Sequence, residues 1–162
     1  MRNDGLAQAR LLALLLPLAL MAGALGSQFI GGLYPCEMCQ WQRWPHYAAI
    51  LVAALAFVVR PRAAAFTFVA FAAILIAVSG GIGLFHAGVE YHWWPGITPC
   101  TATADPNLSA DEMLAAVLDG PMIRCDAPQW TLFGISLAGY NALFSLGGAV
   151  AVFALLARRP RR

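Results

Sequence analysis

Four apolar segments dominate this chain, and their lengths constrain its fold more than any other feature. They run from about 11 to 30, 44 to 59, 63 to 85 and 131 to 157. A helix needs roughly 20 apolar residues to cross the hydrocarbon core of a bilayer, and the first, third and fourth segments reach that length. The second is short, so we expect its helix to begin before Trp44, near Cys39. The sequence therefore predicts an all-α integral membrane protein, a four-helix transmembrane bundle forming one domain over residues 1–162.

Composition agrees with a membrane protein and excludes several function classes. Of 162 residues, 60% are hydrophobic and 11% are charged, whereas a soluble domain carries about 25% charged residues. The net charge of +2 is too small to indicate nucleic-acid binding. No charged residue lies deep in any segment, so a charged transport pathway is not indicated. A signal peptide over 1–26 is disfavoured, because its apolar run exceeds the usual length of about 7–15 residues.

The arginines predict how the bundle is oriented in the lipid bilayer. Eight of the ten lie near the termini or in the turn at 60–62, which four spans place on one side of the membrane. Because cytoplasmic segments carry the excess of arginine, we expect both termini to be cytoplasmic. The loops at about 31–43 and 86–129, with all four cysteines, then face outward. All five tryptophans also fall at this outer side, either as interfacial anchors or as the lining of a pocket.

Two local patterns predict further structure. In the second outer loop, Ser109 and Glu112 have the spacing of a capping box, and the apolar residues of 113–118 follow on one face. We expect a short amphipathic helix there, either lying on the membrane surface or packed on the bundle. Gly23 and Ser27 in the first segment are small residues four positions apart, as are Gly134 and Ala138 in the fourth, which predicts close approach of neighbouring helices at both pairs.

Cys36 and Cys39 form a C-x-x-C pair where the first outer loop meets the second segment. Such a pair can bridge, and its setting can lower the pKa of one thiol so that it attacks as a thiolate. An inert bridge is a weak alternative, because closing so short a loop restricts the unfolded chain little. Arg43 lies one helical turn after Cys39, where a cation favours the thiolate and could stabilise an anion on a bound acceptor. A snorkelling interfacial arginine is the alternative reading.

Cys100 and Cys125 form the second pair, in the long outer loop. A bridge between them could simply staple that loop. Read together with the C-x-x-C pair, a relay is favoured, in which the outer pair meets a soluble dithiol and exchange passes electrons to the inner pair. A zinc site with four cysteine ligands is disfavoured because this pair lacks the close spacing of such sites, so no metal is expected.

The chain resembles the disulfide bond formation protein B family, DsbB, over nearly its whole length. The most specific stretch is Cys36-Glu37-Met38-Cys39-Gln40-Trp41-Gln42-Arg43-Trp44-Pro45-His46-Tyr47. The runs 85–90, 124–130 and 132–136 also resemble that family. The resemblance implies a protein-dithiol:quinone oxidoreductase of the bacterial inner membrane. Such an enzyme reoxidises a periplasmic DsbA-like thiol oxidase and passes the electrons to ubiquinone or menaquinone of the membrane quinone pool.

The resemblance also implies residue roles, with Cys36–Cys39 and Cys100–Cys125 as redox-active disulfides. Cys100 forms the mixed disulfide with the partner, and Cys125 is freed to attack Cys36. Cys39 is then released as the thiolate that contacts the quinone ring, with Arg43 beside it. His86 corresponds to a quinone-proximal histidine of the family. The two remaining histidines, His46 and His92, are expected to be interfacial side chains.

Two other functions stay open at this stage. A vitamin K epoxide reductase-like enzyme shares the bundle, the C-x-x-C pair and the quinone chemistry, but typically carries its C-x-x-C late in the chain. A non-enzymatic membrane subunit with structural disulfides is the second. It predicts that Cys39→Ala leaves any activity intact and that no quinone co-purifies.

Overall fold

Helices account for most of the described chain, which in this computed structural model comprises residues 5–98, 109, 111 and 123–158. These residues form four long helices: α1 (Gly5–Phe29), α2 (Glu37–Val58), α3 (Arg62–Glu90) and α4 (Leu137–Ala157). An antiparallel hairpin of β1 (Thr131–Leu132) and β2 (Ile135–Ser136) precedes α4. By length and composition, α1, α3 and α4 are each able to cross a membrane. The mostly helical class is thus confirmed with three candidate spans, and a fourth stays a prediction.

The second helix begins at Glu37, which confirms that it starts before Trp44. Its first turns hold the charged and polar side chains of Glu37, Gln42, Arg43 and His46, so its apolar part is confined to the second half. This polar start explains why α2 is not among the three helices that are apolar enough to span by composition alone. It also places a set of functional groups at one end of the bundle.

The end of α3 and the start of α4 differ from the boundaries expected from the sequence. Helix α3 continues to Glu90 instead of ending at about 85, so His86 lies in its last turns and not in a loop. The segment from 131 starts with the hairpin, in which Phe133 and Gly134 both have positive φ. Two such residues form the tight turn that suits twisted strands. Ser136 then caps α4 by accepting a hydrogen bond from the Gly139 N–H at 3.1 Å.

The four helices form one packed unit. Helix α3 packs extensively against both α2 and α4, while α1 packs against α4 and α2 and touches α3 only lightly. The core at the end of the bundle near the turn between α2 and α3 is rich in alanine. It consists of Leu6, Ala9, Ala13, Ala53, Ala56, Ala65, Val69, Ala72, Ala73 and Val152. Small side chains let helices approach closely, which is the main source of packing energy in lipid.

Helices α3 and α4 approach each other closely at two glycines of α3. A Cβ added to Gly83 would lie 3.0 Å from the Ala138 carbonyl oxygen and 3.1 Å from the Ala142 nitrogen, and one added to Gly80 would lie 3.0 Å from the Ser145 Cβ. The contact predicted at Gly23 is wrong, because a Cβ there would meet nothing within 4 Å, whereas Ala138 of the second predicted pair does lie against α3. Spacing of small residues marks possible contacts on a helix, but it does not tell which face meets a neighbour.

Hydrogen bonds tie together the opposite end of the bundle, where the C-x-x-C pair lies. The Tyr91 hydroxyl donates to the Gly134 carbonyl at 2.9 Å and accepts from the Ser136 N–H at 2.8 Å. Trp94 donates to the Phe85 carbonyl at 2.9 Å, and Gln129 donates to the Tyr34 carbonyl at 2.7 Å. These bonds hold the loops against the ends of α2, α3 and α4. The predicted amphipathic helix after Ser109 lies outside the described residues, apart from Ser109 and the helical Asp111.

Gly83→Ala should destabilise the protein by about 1–3 kcal/mol, because the added methyl would press on the backbone of α4. Gly81→Ala is the matched control, since a Cβ at this exposed position of the same helix meets nothing within 4 Å. Thermal unfolding in detergent, followed by circular dichroism, measures both. Equal midpoints for the two variants would contradict the close α3–α4 contact.

Candidate redox site

The C-x-x-C pair sits at the first turn of α2. Cys36 is the N-cap, and its Sγ accepts a hydrogen bond from the Cys39 N–H at 3.3 Å. The two Sγ atoms lie 2.9 Å apart, with the Cys36 thiol donating to Cys39. Both sulfurs are therefore at the positive end of the helix dipole, where negative charge is stabilised. This is the setting in which a cysteine becomes a reactive thiolate.

The two thiols differ in acidity. Both cysteines lie before Trp44, where the apolar second segment begins, and so outside the part of α2 that is expected to lie in the membrane. Hydrogen bonding to Cys39, together with burial, raises the pKa of the Cys36 thiol. Accepting that hydrogen bond lowers the pKa of Cys39, and Arg43 acts in the same direction. The charge of the reduced pair is thus directed to Cys39, which is the more exposed of the two.

His86 reaches the pair from the last turns of α3. Its Nε2 lies 3.5 Å from the Cys36 Sγ, and its Nδ1 lies 2.8 Å from the Gln42 Nε2. Glu90, one turn further along α3, has an Oε1 atom 3.8 Å from the same Nε2. His86 and Glu90 are both buried. The helix extension beyond 85 is what places them beside Cys36 and not in the outer loop.

Arg43 is buried between α2 and α1. Its Nη1 donates to the Gln28 Oε1 at 2.6 Å and its Nη2 donates to the Ala24 carbonyl at 3.3 Å. Both of these acceptors, a side-chain amide oxygen and a backbone carbonyl, are neutral. The side chain is only 9% exposed, so the interpretation as a snorkelling interfacial arginine does not fit. A guanidinium held by neutral acceptors keeps its positive charge available to a ligand.

Cys125, from the segment before the β-hairpin, packs in the same cluster as Cys36. It is fully buried and belongs to one apolar cluster with Cys36, Met38 and Val89. Its thiol accepts a hydrogen bond from Thr98 at 3.4 Å. The Arg124 and Asp126 side chains on either side of it form a two-point pair, with both N–O distances at 2.8 Å, and this hydrogen bonding lowers the pKa of Asp126. Cys100 lies outside the described residues.

A pocket of about 230 Å³ opens beside these groups. Cys36, Cys39, Arg43, His86 and Glu90 line one side of it. The other walls are mainly apolar and aromatic, and include Leu20, Met21, Tyr34, Trp130, Ala138 and Phe144. Of the five tryptophans expected at the outer side, Trp130 is the one that lines this pocket, and it packs against the Tyr140 ring. The pocket is polar at the thiols and apolar towards α1 and α4.

The structure thus brings together five of the six residues singled out from the sequence, namely Cys36, Cys39, Cys125, Arg43 and His86. Sequence reasoning missed Gln42 and Glu90, which contact His86, and it was wrong about His46. That histidine is buried, with its Nε2 2.9 Å from the Asn141 Oδ1, and is not an interfacial side chain. The available signal was that Gln42, His46 and Asn141 are polar residues within apolar helices, where such groups need internal partners.

Ligating atoms of Cys36, Cys39 and His86 all lie within 4.8 Å of one another. Two thiolates and an imidazole are ligands that suit a soft divalent metal. The expectation that no metal binds therefore stays a prediction. Metal binding here requires the His86 Nε2, which faces Cys36, to carry no proton.

Comparison with known proteins places these features in a family context. The model of the family described as disulfide bond formation protein DsbB matches residues 7–155. A disulfide bond formation protein B of Acinetobacter baylyi is 35% identical over 146 residues, covering 86% of this chain and 85% of its own length. That of Alkalilimnicola ehrlichii is 33% identical, covering 97% and 99%, and that of Azoarcus sp. is 30% identical, covering 88% of each. No solved structure matches the chain.

In the reduced protein, Cys39 should be alkylated at least about tenfold faster than Cys36 at pH 7, since one pKa unit changes the thiolate fraction tenfold. A lowered pKa means that the Cys39 thiolate persists as the pH falls, whereas Cys36 stays protonated. Iodoacetamide labelling over a pH series, followed by peptide mapping, measures both rates.

Cys36→Ala should move the Cys39 labelling profile to higher pH, because the thiol that donates to Cys39 is lost. Gln40→Ala, in the same part of α2, is the control and should leave the profile in place. A Cys39 profile unchanged by Cys36→Ala would show that the thiol–thiol hydrogen bond does not set its acidity.

Proposed function

Because the chain belongs to the DsbB family of disulfide bond formation proteins, we propose that it is a protein-dithiol:quinone oxidoreductase. It reoxidises a periplasmic DsbA-like thiol oxidase and passes the electrons to the membrane quinone pool. Family membership and the three apolar helices make the chain a multi-pass membrane protein of disulfide bond formation. The observation that carries the finer proposal is that Cys39 and the buried Arg43 share one pocket with largely apolar walls.

The chemistry of this pocket fits a quinone. A quinone ring and its isoprenoid chain need apolar surfaces, which α1 and α4 supply through Leu20, Ala138 and Phe144. The ring oxygens need donors or a positive charge, which Arg43 supplies, since its guanidinium is held by neutral partners. When bound, ubiquinone or menaquinone supplies an acceptor for two electrons and two protons. Arg43 and Cys39 would hold the ring, with His86 at the same end of the pocket.

Redox energetics favour a quinone over a soluble thiol pool as acceptor. A DsbA-type partner has a reduction potential of about −120 mV. This is roughly 60–90 mV above the potential of a glutathione pool like that of the endoplasmic reticulum. At about 1.4 kcal/mol per 30 mV, oxidising the partner with glutathione would be uphill by roughly 3–4 kcal/mol. The route from DsbA through DsbB to quinone is established for the bacterial periplasm, and a chain of this family fits that route.

Disulfide exchange connects the partner to the pocket. The partner thiolate attacks Cys100 of a Cys100–Cys125 disulfide, and Cys125 leaves as a thiolate. Cys125 then attacks the sulfur of Cys36, which breaks the Cys36–Cys39 disulfide and releases Cys39 as a thiolate carrying the electron pair. Burial of Cys125 in one cluster with Cys36 supports this direction of transfer. The positive end of the α2 dipole and the charge of Arg43 favour a thiolate at Cys39, which makes Cys39 a good leaving group when Cys36 is attacked.

The orientation follows from the arginines and the helix ends. A Cβ at Gly5 would meet the Leu155 carbonyl, so the start of α1 and the end of α4 are adjacent. These ends, with the turn at 60–62, carry the excess of arginine. Under the positive-inside rule they are cytoplasmic, and the apolar part of α2, from Trp44 onwards, is then the fourth span of the bacterial inner membrane. The cysteines lie at the opposite, periplasmic end, where disulfides persist.

Quinone reduction by the purified protein in detergent tests the proposal. Reduced DsbA-like partner and a soluble ubiquinone are mixed with the wild type, and the quinone absorbance and the partner thiols are followed together. We expect quinone loss to match partner oxidation, and Cys39→Ala to abolish both. No quinone loss with either ubiquinone or menaquinone, and the partner left reduced, would overturn the proposed activity.

Arg43→Gln should lower kcat/KM for quinone by about 10²-fold, the usual effect of removing a group that stabilises a developing anion. Arg43→Lys keeps the charge and should lose less activity. Arg60→Gln is the control, since that arginine is exposed in the turn between α2 and α3 and does not line the pocket. An Arg43→Gln variant with wild-type quinone kinetics would remove Arg43 from the binding site.

A further inference from the structure

A line of polar groups runs from the middle of the bundle to the redox pair. The Asn141 Nδ2 lies 2.9 Å from the Gln42 Oε1, and the Gln42 Nε2 lies 2.8 Å from the His86 Nδ1. The His86 Nε2 lies 3.5 Å from the Cys36 Sγ, which in turn lies 2.9 Å from the Cys39 Sγ. Helices α4, α2 and α3 each contribute to this line. The orientation of the Gln42 and Asn141 amides decides which groups in this line donate a hydrogen bond and which accept one.

The backbone fixes the orientation of both amides. The Gln42 Nε2 lies 3.1 Å from the Met38 carbonyl oxygen, and the Asn141 Nδ2 lies 3.2 Å from the Ser79 carbonyl oxygen. A backbone carbonyl only accepts hydrogen bonds, so each side chain must present its NH₂ there. Turning the Gln42 amide over would set two oxygens against each other at Met38 and two NH₂ groups against each other at Asn141. Gln42 therefore presents its NH₂ to His86.

This orientation decides the state of His86. A ring nitrogen that faces an NH₂ group must accept, so Nδ1 of His86 carries no proton. In the neutral imidazole the proton is then on Nε2, which faces Cys36. The carboxyl group of Glu90, 3.8 Å from Nε2, favours the same position for the proton. His86 thus acts towards Cys36 as a hydrogen-bond donor and cannot act as a base.

The direction continues through the two sulfurs. With the His86 Nε2–H and the Cys39 N–H both directed at Cys36, that sulfur is an acceptor on two sides. The Cys36 thiol proton is then left to point at Cys39, 2.9 Å away. Hydrogen bonds that run in one direction polarise one another and strengthen the last acceptor. The last acceptor here is the Cys39 sulfur, which lines the pocket.

We propose that Gln42 is a positioning residue, which locks His86 in the Nε2–H tautomer and so directs the charge of the reduced pair from Cys36 to Cys39. The tautomer follows from the geometry alone. Its benefit to turnover rests on the proposed function, since it requires Cys39 to be the thiolate at the acceptor. The Gln42 side chain hydrogen-bonds to Met38, His86 and Asn141 and to neither sulfur, so it acts through the histidine.

The same lock explains how a redox protein could avoid capturing metal ions at this site. Cys36, Cys39 and His86 have the geometry for a soft divalent cation, but a ligating Nε2 must give up its proton and leave Nδ1 protonated. A metal-bound histidine normally donates that Nδ1–H to a carboxylate or carbonyl. Gln42 offers an NH₂ group instead, so it opposes metal binding. Gln42→Glu would supply the missing carboxylate.

The first test is the tautomer of His86 in the reduced protein, read from ¹⁵N NMR of histidine-labelled protein in detergent. The signals that disappear in His86→Gln are assigned to His86. We expect Nδ1 to be unprotonated and Nε2 to be protonated. Gln42→Glu should protonate Nδ1, because a carboxylate then faces it. Gln42→Met, of similar size and without a polar end, should allow both tautomers. The wild-type spectrum decides by itself: a protonated Nδ1 would overturn the proposal.

Every titratable or charged group near His86 must be considered in this experiment. Glu90 faces Nε2 from α3, Cys36 faces it from α2, and Cys125 contacts the ring through its backbone. Cys39 and Arg43 share the pocket. Spectra of Glu90→Gln distinguish an effect of that carboxyl from the effect of Gln42. Persistence of the Nε2–H tautomer in Glu90→Gln is the expected result, and its loss would assign the lock to Glu90.

The second test is Cd²⁺ binding to the reduced protein, followed by thiolate-to-metal charge-transfer absorbance. Because a carboxylate partner to a ligating histidine changes metal affinity by about 10–100-fold, Gln42→Glu should bind Cd²⁺ at least about tenfold more tightly than wild type. Gln42→Met should fall between them, and Cys39→Ala should abolish the tight site. Equal affinities of the wild type and Gln42→Glu would count against the lock.

Quinone reduction measured on the same samples keeps this inference separate from the proposed function. If the wild-type protein has an unprotonated His86 Nδ1 but reduces no quinone, the proposed function is overturned and the tautomer assignment stands. If quinone reduction works, Gln42→Glu should shift the pH profile of turnover, which loss of packing alone would not do. An active Gln42→Glu variant with the wild-type pH profile would overturn the role assigned to Gln42.

Discussion

Asn141 forms the interaction on which the rest of the site depends. Its side-chain NH₂ reaches Gln42 of α2 and Ser79 of α3, and its carbonyl accepts from His46 and Ser145. In an apolar surrounding, each of these groups would be costly without a partner. One amide therefore satisfies polar groups from three helices at once. It also requires those helices to come close, which the glycines of α3 permit.

The redox pair lies on top of this polar centre. The N-cap position of Cys36 places both sulfurs at the start of α2, and the extension of α3 brings a histidine and a glutamate to them. Arg43 is on the same helix but turns towards α1, where it meets the pocket. The reduced pair, the cation and the apolar walls thus border one pocket, which is the arrangement that the proposed transfer of electrons to a quinone requires.

Much of this could be predicted from local patterns. Apolar length predicted the helices, and the C-x-x-C pair with Arg43 four residues later predicted a redox centre at the start of α2. What failed depends on contacts across helices. His46 was assigned to the interface because nothing in the sequence shows that Asn141, far along the chain, lies opposite it. The contact expected at Gly23 is found instead at Gly80 and Gly83, because spacing does not identify the face that meets a neighbour.

The sequence by itself determined the class of the molecule, the place of Cys36 and Cys39 at the start of a helix, and the kind of chemistry that two thiols and a cation can perform. These follow from composition and from spacings within one helical turn, which act locally. The tertiary structure alone decided that Gln42 faces His86 and that His86 faces Cys36. Both contacts join residues on different helices, and their direction is set by backbone carbonyls whose positions exist only once the helices have packed.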